Sequence, residues 1–496
     1  MTLPARRATG PGHSPGAALA RRTEALLLGL VVVVVLFGYL AVGMATGGAL
    51  PDRTAEFALT MCCLTVTPHL ALRRFAPYAD PLILPTATLL TGLGLVLLHR
   101  LDHAYRTPPA AGQQLLWTVI GVAACILTVA LLKDHRRLQR YIYVTMAAAL
   151  VLLIAPALYP GDTYGAKRWV YLGPLSFQPG EFVKVMIAVF FAGYLVIHRD
   201  ALALTGRRTL GMRLPPGRQL GPIVAVWIAS LLVLVLERDL GTSLIFFGLF
   251  IVMLYVATGR GSWVVCGALM AVAGAAVVGS TEPHVKGRIE AWLHPFAIFL
   301  PPERRPPGLI SDQAAQALFS FGSGGMTGTG LGLGHPELIG FAGRSDFILT
   351  TVGEELGLAG LMAVLLLYIL LVERGLRAAL LSRDPFGKLL ALGLAVALAL
   401  QVFVVAAGVT GLMPLTGKAL PFLAQGGSSM VANWLLVALL LKVSDHARRG
   451  AGPPPGENDE NGADSSDSSD SSDRERAAVA GGTGALLPAQ RSGPPS

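Results

Sequence analysis

The sequence is short of charge. Only 14% of its 496 residues are Asp, Glu, Lys or Arg, where a soluble domain carries about 25%. With 53% hydrophobic residues and a mean hydropathy of +0.60, that deficit excludes a soluble globular enzyme and a mostly disordered chain alike. Cysteine is scarce as well: Cys62, Cys63, Cys125 and Cys266 all fall inside apolar stretches. They offer neither zinc-ligand spacing nor a disulfide framework and read as small apolar packing residues. No basic helix or aromatic-interleaved basic patch stands outside the apolar runs, which argues against nucleic acid as a partner. No metal cluster or cofactor-binding motif is recognisable, and no internal repeat.

What remains is a series of long apolar runs. A transmembrane helix needs roughly 17–25 largely apolar residues, and such stretches lie near 24–43, 56–73, 80–99, 115–132, 139–158, 182–197, 219–236, 241–258, 263–280, 355–373, 387–411 and 428–443. The first, around Ala25–Val42, is too long for a signal-peptide core and lacks a convincing cleavage site. The expected fold is an all-α polytopic membrane protein of about 12 transmembrane helices, with a large extracellular loop containing amphipathic helices.

Charge placement supports that topology. The net charge is +9, but residues 451–496 hold eight acids against three arginines, leaving +14 on the rest. The excess lies in alternate short loops: Arg73/Arg74, Lys133 to Arg140, Arg199 to Arg218, Arg260, Arg374 to Lys388, and Lys442 to Arg449. By the positive-inside rule these loops and both termini are cytoplasmic. The expected organisation is a disordered N-terminus over 1–22, a membrane domain over 23–449 with its large outer loop at 281–354, and a disordered tail over 450–496. The tail repeats Asp and Ser from Asp464 to Asp473 and cannot bury enough apolar surface to offset its ordering entropy.

Three polar, glycine-bearing stretches, 159–181, 281–354 and 412–429, fall on the outer side. Non-helical backbone at membrane depth survives only where protein covers it or water reaches it, so the three together predict a shared cavity. In the first, Lys167, Arg168 and Gln178 precede a helix start at Pro179, and Glu181 and Lys184 share one helical face. Asp239, followed by Gly241 and Thr242, fits a helix N-terminus turned toward the same side. In the long loop, Ile289–Leu300 and Ala314–Phe321 have helix-compatible spacing and predict amphipathic helices on the outer membrane surface. The glycines of Gly322–Gly334 superficially suggest a dinucleotide fingerprint, but no strand precedes them; close backbone approach is the better reading. The loop ends with Asp346 and Glu354 at the mouth of the next span. In the third stretch Gly411…Gly417-Lys418 imitates a phosphate loop with the wrong spacing and with Ala419 in place of Ser or Thr. Ser428 and Ser429 there suit a helix cap.

Taken in order, Gly165–Lys184, Asp239–Thr242, Trp292–Phe296, Gln313–Gly334, Ser345–Gly360 and Gly411–Ser429 resemble the SEDS family (shape, elongation, division and sporulation) of RodA-, FtsW- and SpoVE-like proteins. Two additional N-terminal spans look most like its actinobacterial RodA branch. The resemblance implies a peptidoglycan glycosyltransferase that polymerises lipid II at the outer face of the cytoplasmic membrane, in elongation, division or sporulation. It implies a class B penicillin-binding protein as partner, undecaprenyl diphosphate as leaving group and no cofactor. Such chemistry needs a base for the acceptor hydroxyl and cations or N–H groups for the departing diphosphate. Lys167, Arg168, Lys184, Arg288 and Lys418 suit the second task, with Gln178, Glu181, Asp239, Thr242, Gln313, Asp346, Glu354, Ser428 and Ser429 completing the expected binding set.

The base is where this sequence departs from the resemblance. The family pattern runs Trp-x-Asp-Pro-Phe-x-Asp-Pro, its second aspartate assigned as base; here His294 takes the first position, and Ile298 or Pro306 the second, depending on alignment. Glu303, within the lengthened Pro-rich loop, and Asp312 are the replacement candidates. Arg344-Ser345 stands where the family has His-Thr, and Ala424-Gln425 where it has Ser-Tyr. Three readings follow: a polymerase with a relocated carboxylate, a catalytically impaired scaffold that recruits or activates a class B penicillin-binding protein, and a lipid II flippase. The third lacks the internal repeat expected of a transporter.

Overall fold

A computed structural model describes residues 15–105, 108–158, 169–172, 175–203, 208–209, 212–213, 228, 239–306, 309 and 312–449. Ten of its helices are long and apolar enough to cross a membrane. They are α1 (Pro15–Gly47), α2 (Thr54–Phe75), α3 (Ile83–Ala104), α4 (Ala111–Leu131), α5 (Ile142–Leu158, continuing a 3-10 turn at His135–Tyr141), α6 (Pro179–Ala203) and α7 (Leu240–Thr258), then, after shorter helices, α12 (Gly357–Leu381), α13 (Pro385–Val409) and α14 (Gly427–Arg449). Between these last groups lie α8 (Ser262–Thr281), α9 (Pro283–Leu293), α10 (Gln313–Gly324) and α11 (Ile348–Glu355). Of the twelve expected spans, the one at 219–236 lies outside the described residues except for Ile228. The one at 263–280 is α8, whose apolar stretch, Ser262–Val277, is short for a span. Two short antiparallel ribbons pair β1 (Val170–Leu172) with β2 (Leu175–Phe177) and β3 (Arg208–Thr209) with β4 (Met212–Arg213).

Apolar residues cover these helices on every side, so burial is set by position in the bundle rather than by an amphipathic stripe. α3, α6, α13 and α14 are central, with Leu84, Leu90, Leu195, Leu390, Leu398, Leu436 and Leu440 fully enclosed. α1, α2, α4 and α5 are peripheral and leave Leu26, Val33, Phe37, Leu59, Leu127 and Val151 on the outside, the face that hydrocarbon covers in a bilayer. Cys62 and Cys63 share that outer face, Cys266 is half-buried, and Cys125 packs in the core. Close helix approach relies on small residues: a Cβ at Gly94 would sit 2.6 Å from the Phe422 carbonyl oxygen.

Both ends of the helical body meet at one end of the bundle. Arg21 of α1 pairs with Glu24 and reaches the Ala79 carbonyl, while Arg448 of α14 pairs with Asp80. Ala79 and Asp80 belong to the same α2–α3 turn. The expected helix at 289–300 is corrected: α9 ends at Leu293, because Pro295 has no N–H to continue the ladder, and a 3-10 turn follows over Pro295–Phe299.

Candidate functional site

At the other end of the bundle, one turn of α6 carries Glu181 and Lys184 inward. Lys184 Nζ donates to Glu181 Oε2 at 2.9 Å and to Asn433 Oδ1 of α14 at 2.8 Å, and also to Gln401 Oε1 of α13. Asp239 caps α7 by accepting from Thr242 N at 3.0 Å, and Thr242 Oγ1 donates to Asp239 Oδ2 at 2.7 Å. Lys418 joins the two groups. Its ammonium donates to Thr242 Oγ1 at 2.9 Å and lies 3.2 Å from Glu181 Oε1 and 3.5 Å from Asp239 Oδ2. Ser429 Oγ donates to Glu181 Oε2 at 3.2 Å, and Ser428 Oγ accepts from Gln178 N at 2.9 Å.

These groups are almost wholly enclosed, with exposure of 1% at Glu181 and Asp239, 2% at Lys184 and 3% at Lys418. Isolated charge at such a depth is prohibitive; two cations against two anions, with amides and hydroxyls filling the remaining valences, make it tolerable. The backbone is built for the approach. Gly241 faces Lys418, and a Cβ there would come within 2.2 Å of Lys418 Cγ. Lys418 itself rides a non-helical segment, 410–426, held by Tyr368 Oη on the Pro421 carbonyl and by Phe422 in a left-handed conformation, φ +67°. Non-Gly residues rarely adopt that conformation, and it costs on the order of 1–3 kcal/mol.

Helix α9 pins the same segment from outside: Arg288 Nη1 donates to the Leu415 carbonyl at 3.0 Å and Trp292 Nε1 to that of Gly411 at 2.7 Å. A second constellation lies beside it. Arg100 Nε donates to Glu355 Oε1 at 2.7 Å and its Nη2 to the Gly334 carbonyl at 2.8 Å; Glu354 Oε1 accepts from His335 N at 2.9 Å. Arg344 Nη2 donates to Asp102 Oδ1 at 2.7 Å, while the Arg344 carbonyl accepts from Gln425 N at 2.8 Å and so ties this clamp to the Lys418 segment. Burial raises the Glu355 carboxyl above the ordinary carboxylate range despite Arg100, and pushes the Tyr105 phenol, beneath Arg344, up to about 12. The glycines of 322–334 serve this clamp: Gly328, at φ +83°, lies where a Cβ would be 2.2 Å from the Glu355 carbonyl oxygen.

The sequence-derived candidates therefore divide. Gln178, Glu181, Lys184, Asp239, Thr242, Lys418, Ser428 and Ser429 share one buried network, with Arg288 on its outer wall. Glu354 belongs instead to the Arg100 clamp. Asp346 accepts from Ser345 Oγ at 2.8 Å, and Gln313 begins α10 after Asp312. Ser428 bonds to Gln178 just before α6 and Ser429 to Glu181 within it, not as the helix cap suggested by sequence. Glu303 occupies an exposed 3-10 turn with Arg304 and makes no ion pair or hydrogen bond among the described residues, so it is not part of the buried network. Lys167 and Arg168 lie outside the described residues. Gln401 and Asn433 escaped notice, although an isolated amide inside an apolar run is itself a signal, since a polar group in a membrane turns toward a partner.

Fold and site together define a polytopic membrane protein with a buried, charge-balanced network at the end of the bundle remote from both ends of its helical body. The family model for the FtsW/RodA/SpoVE cell cycle proteins matches residues 81–449, and the chain belongs to that family. It is 45% identical over 440 residues to a protein of Mycobacterium tuberculosis named peptidoglycan glycosyltransferase RodA, covering 86% of this chain and 91% of that one. It is 31% identical over 374 residues to a probable peptidoglycan glycosyltransferase FtsW of Geobacter sulfurreducens, covering 74% and 95%. Among solved structures it resembles a chain from a peptidoglycan synthase complex described as coordinating polymerization and crosslinking, with TM-score 0.58, 25% identity, and 74% and 98% coverage. The rod shape determining protein RodA of Thermus thermophilus shares the fold, at TM-score 0.51, 24% identity, and 74% and 96% coverage.

Proposed function

We propose that this chain is a peptidoglycan glycosyltransferase that polymerises lipid II at the outer face of the cytoplasmic membrane, with both termini cytoplasmic and a class B penicillin-binding protein as crosslinking partner. The observation that carries the reading is the buried Glu181–Lys184–Lys418–Asp239 network, set where the outer segments meet in a chain so similar to RodA. In the reaction the acceptor hydroxyl oxygen attacks the anomeric carbon of the lipid-linked sugar. Its proton passes to a base, and the bond to the diphosphate breaks with its electrons on the leaving oxygen. Lys418 is the donor best placed to meet that charge: it already divides itself between Glu181, Asp239 and Thr242, and a diphosphate oxygen can replace one of them. Arg288 extends the positive wall outward.

The base belongs to the 294–312 segment, as Glu303 or Asp312. Its exposure favours a second reading as well, a scaffold that activates its partner without polymerising. The test is to purify the protein with its penicillin-binding partner, block transpeptidation with a β-lactam and supply labelled lipid II. Glycan chains that vanish in Glu303→Ala but persist in Asp312→Ala identify the relocated base, with a loss of about 10²–10⁴-fold. No chains from the unmodified complex would leave the scaffold, and movement of lipid II across protein-containing vesicles without polymer would leave a flippase.

A further inference from the structure

A cluster of metal-ligating side chains lies at the opposite end of the bundle, among groups that glycosyl transfer does not use. Asp134, His135 and His446 bring one potential ligand atom each to within 4.8 Å of one another. Asp134 and His135 end the α4–α5 connection; His446 stands in the last turn of α14, far away in sequence. The two imidazoles meet edge to face with centroids 5.1 Å apart. His135 is buried and has a carboxylate on each side. Its Nδ1 is 3.7 Å from Asp134 Oδ1, and its Nε2 is 3.1 Å from Asp384 Oδ2.

We propose that Asp134, His135 and His446 form a site for a divalent transition-metal ion of the zinc type, with Asp384 as its supporting carboxylate. The chemistry of the donor set points there. Two imidazoles and one carboxylate satisfy such an ion, with water as a fourth ligand. A ligating histidine characteristically gives its other ring N–H to a carboxylate, fixing the tautomer. His135 has that arrangement: Nε2–H donates to Asp384, leaving Nδ1 on the side of Asp134. Asp384 is fixed in turn by accepting from Gly387 N at 2.8 Å as the cap of α13. Bonds of about 2.0–2.2 Å draw the three donors closer than they stand here. Asp134 and His446 are only half-buried and have room to make that movement. Arg136 donates to His446 Nε2 at 3.2 Å and lies 3.5 Å from Asp384 Oδ2. Its side chain is half exposed, so an incoming ion displaces it to water. The bound ion fastens three elements, the α4–α5 connection, the α13 cap and the end of α14.

The experiment uses the full chain in nanodiscs, purified without a polyhistidine tag, stripped with chelator and titrated with Zn²⁺ alone. Bound metal is measured by elemental mass spectrometry, and stability by thermal unfolding. The unmodified chain retains a single equivalent and unfolds at a higher temperature with Zn²⁺. The double variant Asp134→Asn/His446→Gln loses both effects, and Asp384→Asn weakens binding about 10–100-fold. Because Asp134 also caps the 3-10 turn, His446→Gln alone, which removes no cap, must lose the equivalent too. No retention by the unmodified chain, or a full equivalent kept by His446→Gln, overturns the proposal.

Discussion

The N-terminal helix pair and the buried network of the matched body are organised around different cations. α1 and α2, residues 15–75, precede the stretch matched by the family model. They are attached through one apolar face each and, at one end, through polar contacts: Arg21 grips Glu24 and the Ala79 carbonyl, His69 Nδ1 lies 2.6 Å from Glu24 Oε1 and joins the two helices to each other, and Lys442 Nζ of α14 donates to the Phe75 carbonyl at 3.3 Å. The basin inside the matched body relies on lysines surrounded by several acceptors. A guanidinium is a rigid planar fork that fixes geometry, whereas an ammonium is a compact charge that can trade one acceptor for another. Arginine therefore suits the fastenings, at Arg21 and also at Arg100 and Arg344. Lysine suits the proposed site, where an anionic leaving group would replace a protein carboxylate.

Exchanging the cations gives the sharpest break of that comparison. Lys418→Arg keeps the charge, but the larger head has no space between Gly241, Thr242 and Glu181, and its fork favours one fixed carboxylate. We expect polymerisation to fall at least about 100-fold, the order expected when a preorganised donor is lost. Lys184→Met removes a charge and leaves Glu181 with less compensation, which costs about 3–5 kcal/mol. Adding Glu181→Gln to Lys184→Met should recover much of that stability and none of the polymerising activity. Recovered activity in the double variant, read with labelled lipid II, would show the network to be purely structural.

Much of this was legible before any coordinates. Runs such as Ala25–Val42 and Leu389–Val409 can only be spans, and Glu181 with Lys184, one turn apart after Pro179, can only share a face. Partners distant in sequence were not legible: Gln401 and Asn433 reach Lys184 from two other helices, and Arg100 finds Glu355 across 255 residues. A helical period also misled at Ile289–Leu300, where apolar spacing continues through Pro295 but the hydrogen-bond ladder does not. Glu303 illustrates a further limit: sequence places a carboxylate in the lengthened Pro-rich loop without saying which way the loop turns.

The helix pair should tolerate more. Glu24→Gln keeps the size of the side chain and removes the charge that Arg21 and His69 share. Charge-assisted hydrogen bonds contribute about 1.5–3 kcal/mol each, so thermal unfolding should register a loss of that order and protease should open α1 before the body. Polymerisation by the intact protein should stay within about twofold, because the pair touches no member of the basin network; this is well below what a transition-state contact commands. A collapse of activity without loss of stability would mean that the pair feeds into the basin, and the division drawn between the two regions would have to be abandoned.

The smallest effect tests the arginine rule itself. Arg448 pairs with Asp80, whose carboxylate is enclosed while the arginine side chain remains 29% exposed, so water and salt screen the contact in part and its worth is on the order of 1 kcal/mol. Arg448→Lys keeps the charge and gives up the fork. If geometry is what the fastenings require, the variant should lose a few tenths of a kcal/mol, measurably more at low salt than at high. Arg21→Lys, at a buried pair, should lose several times as much. Equal losses at the two positions would mean that charge alone holds the helix ends, and the contrast between arginine fastenings and a lysine basin would reduce to a difference in burial.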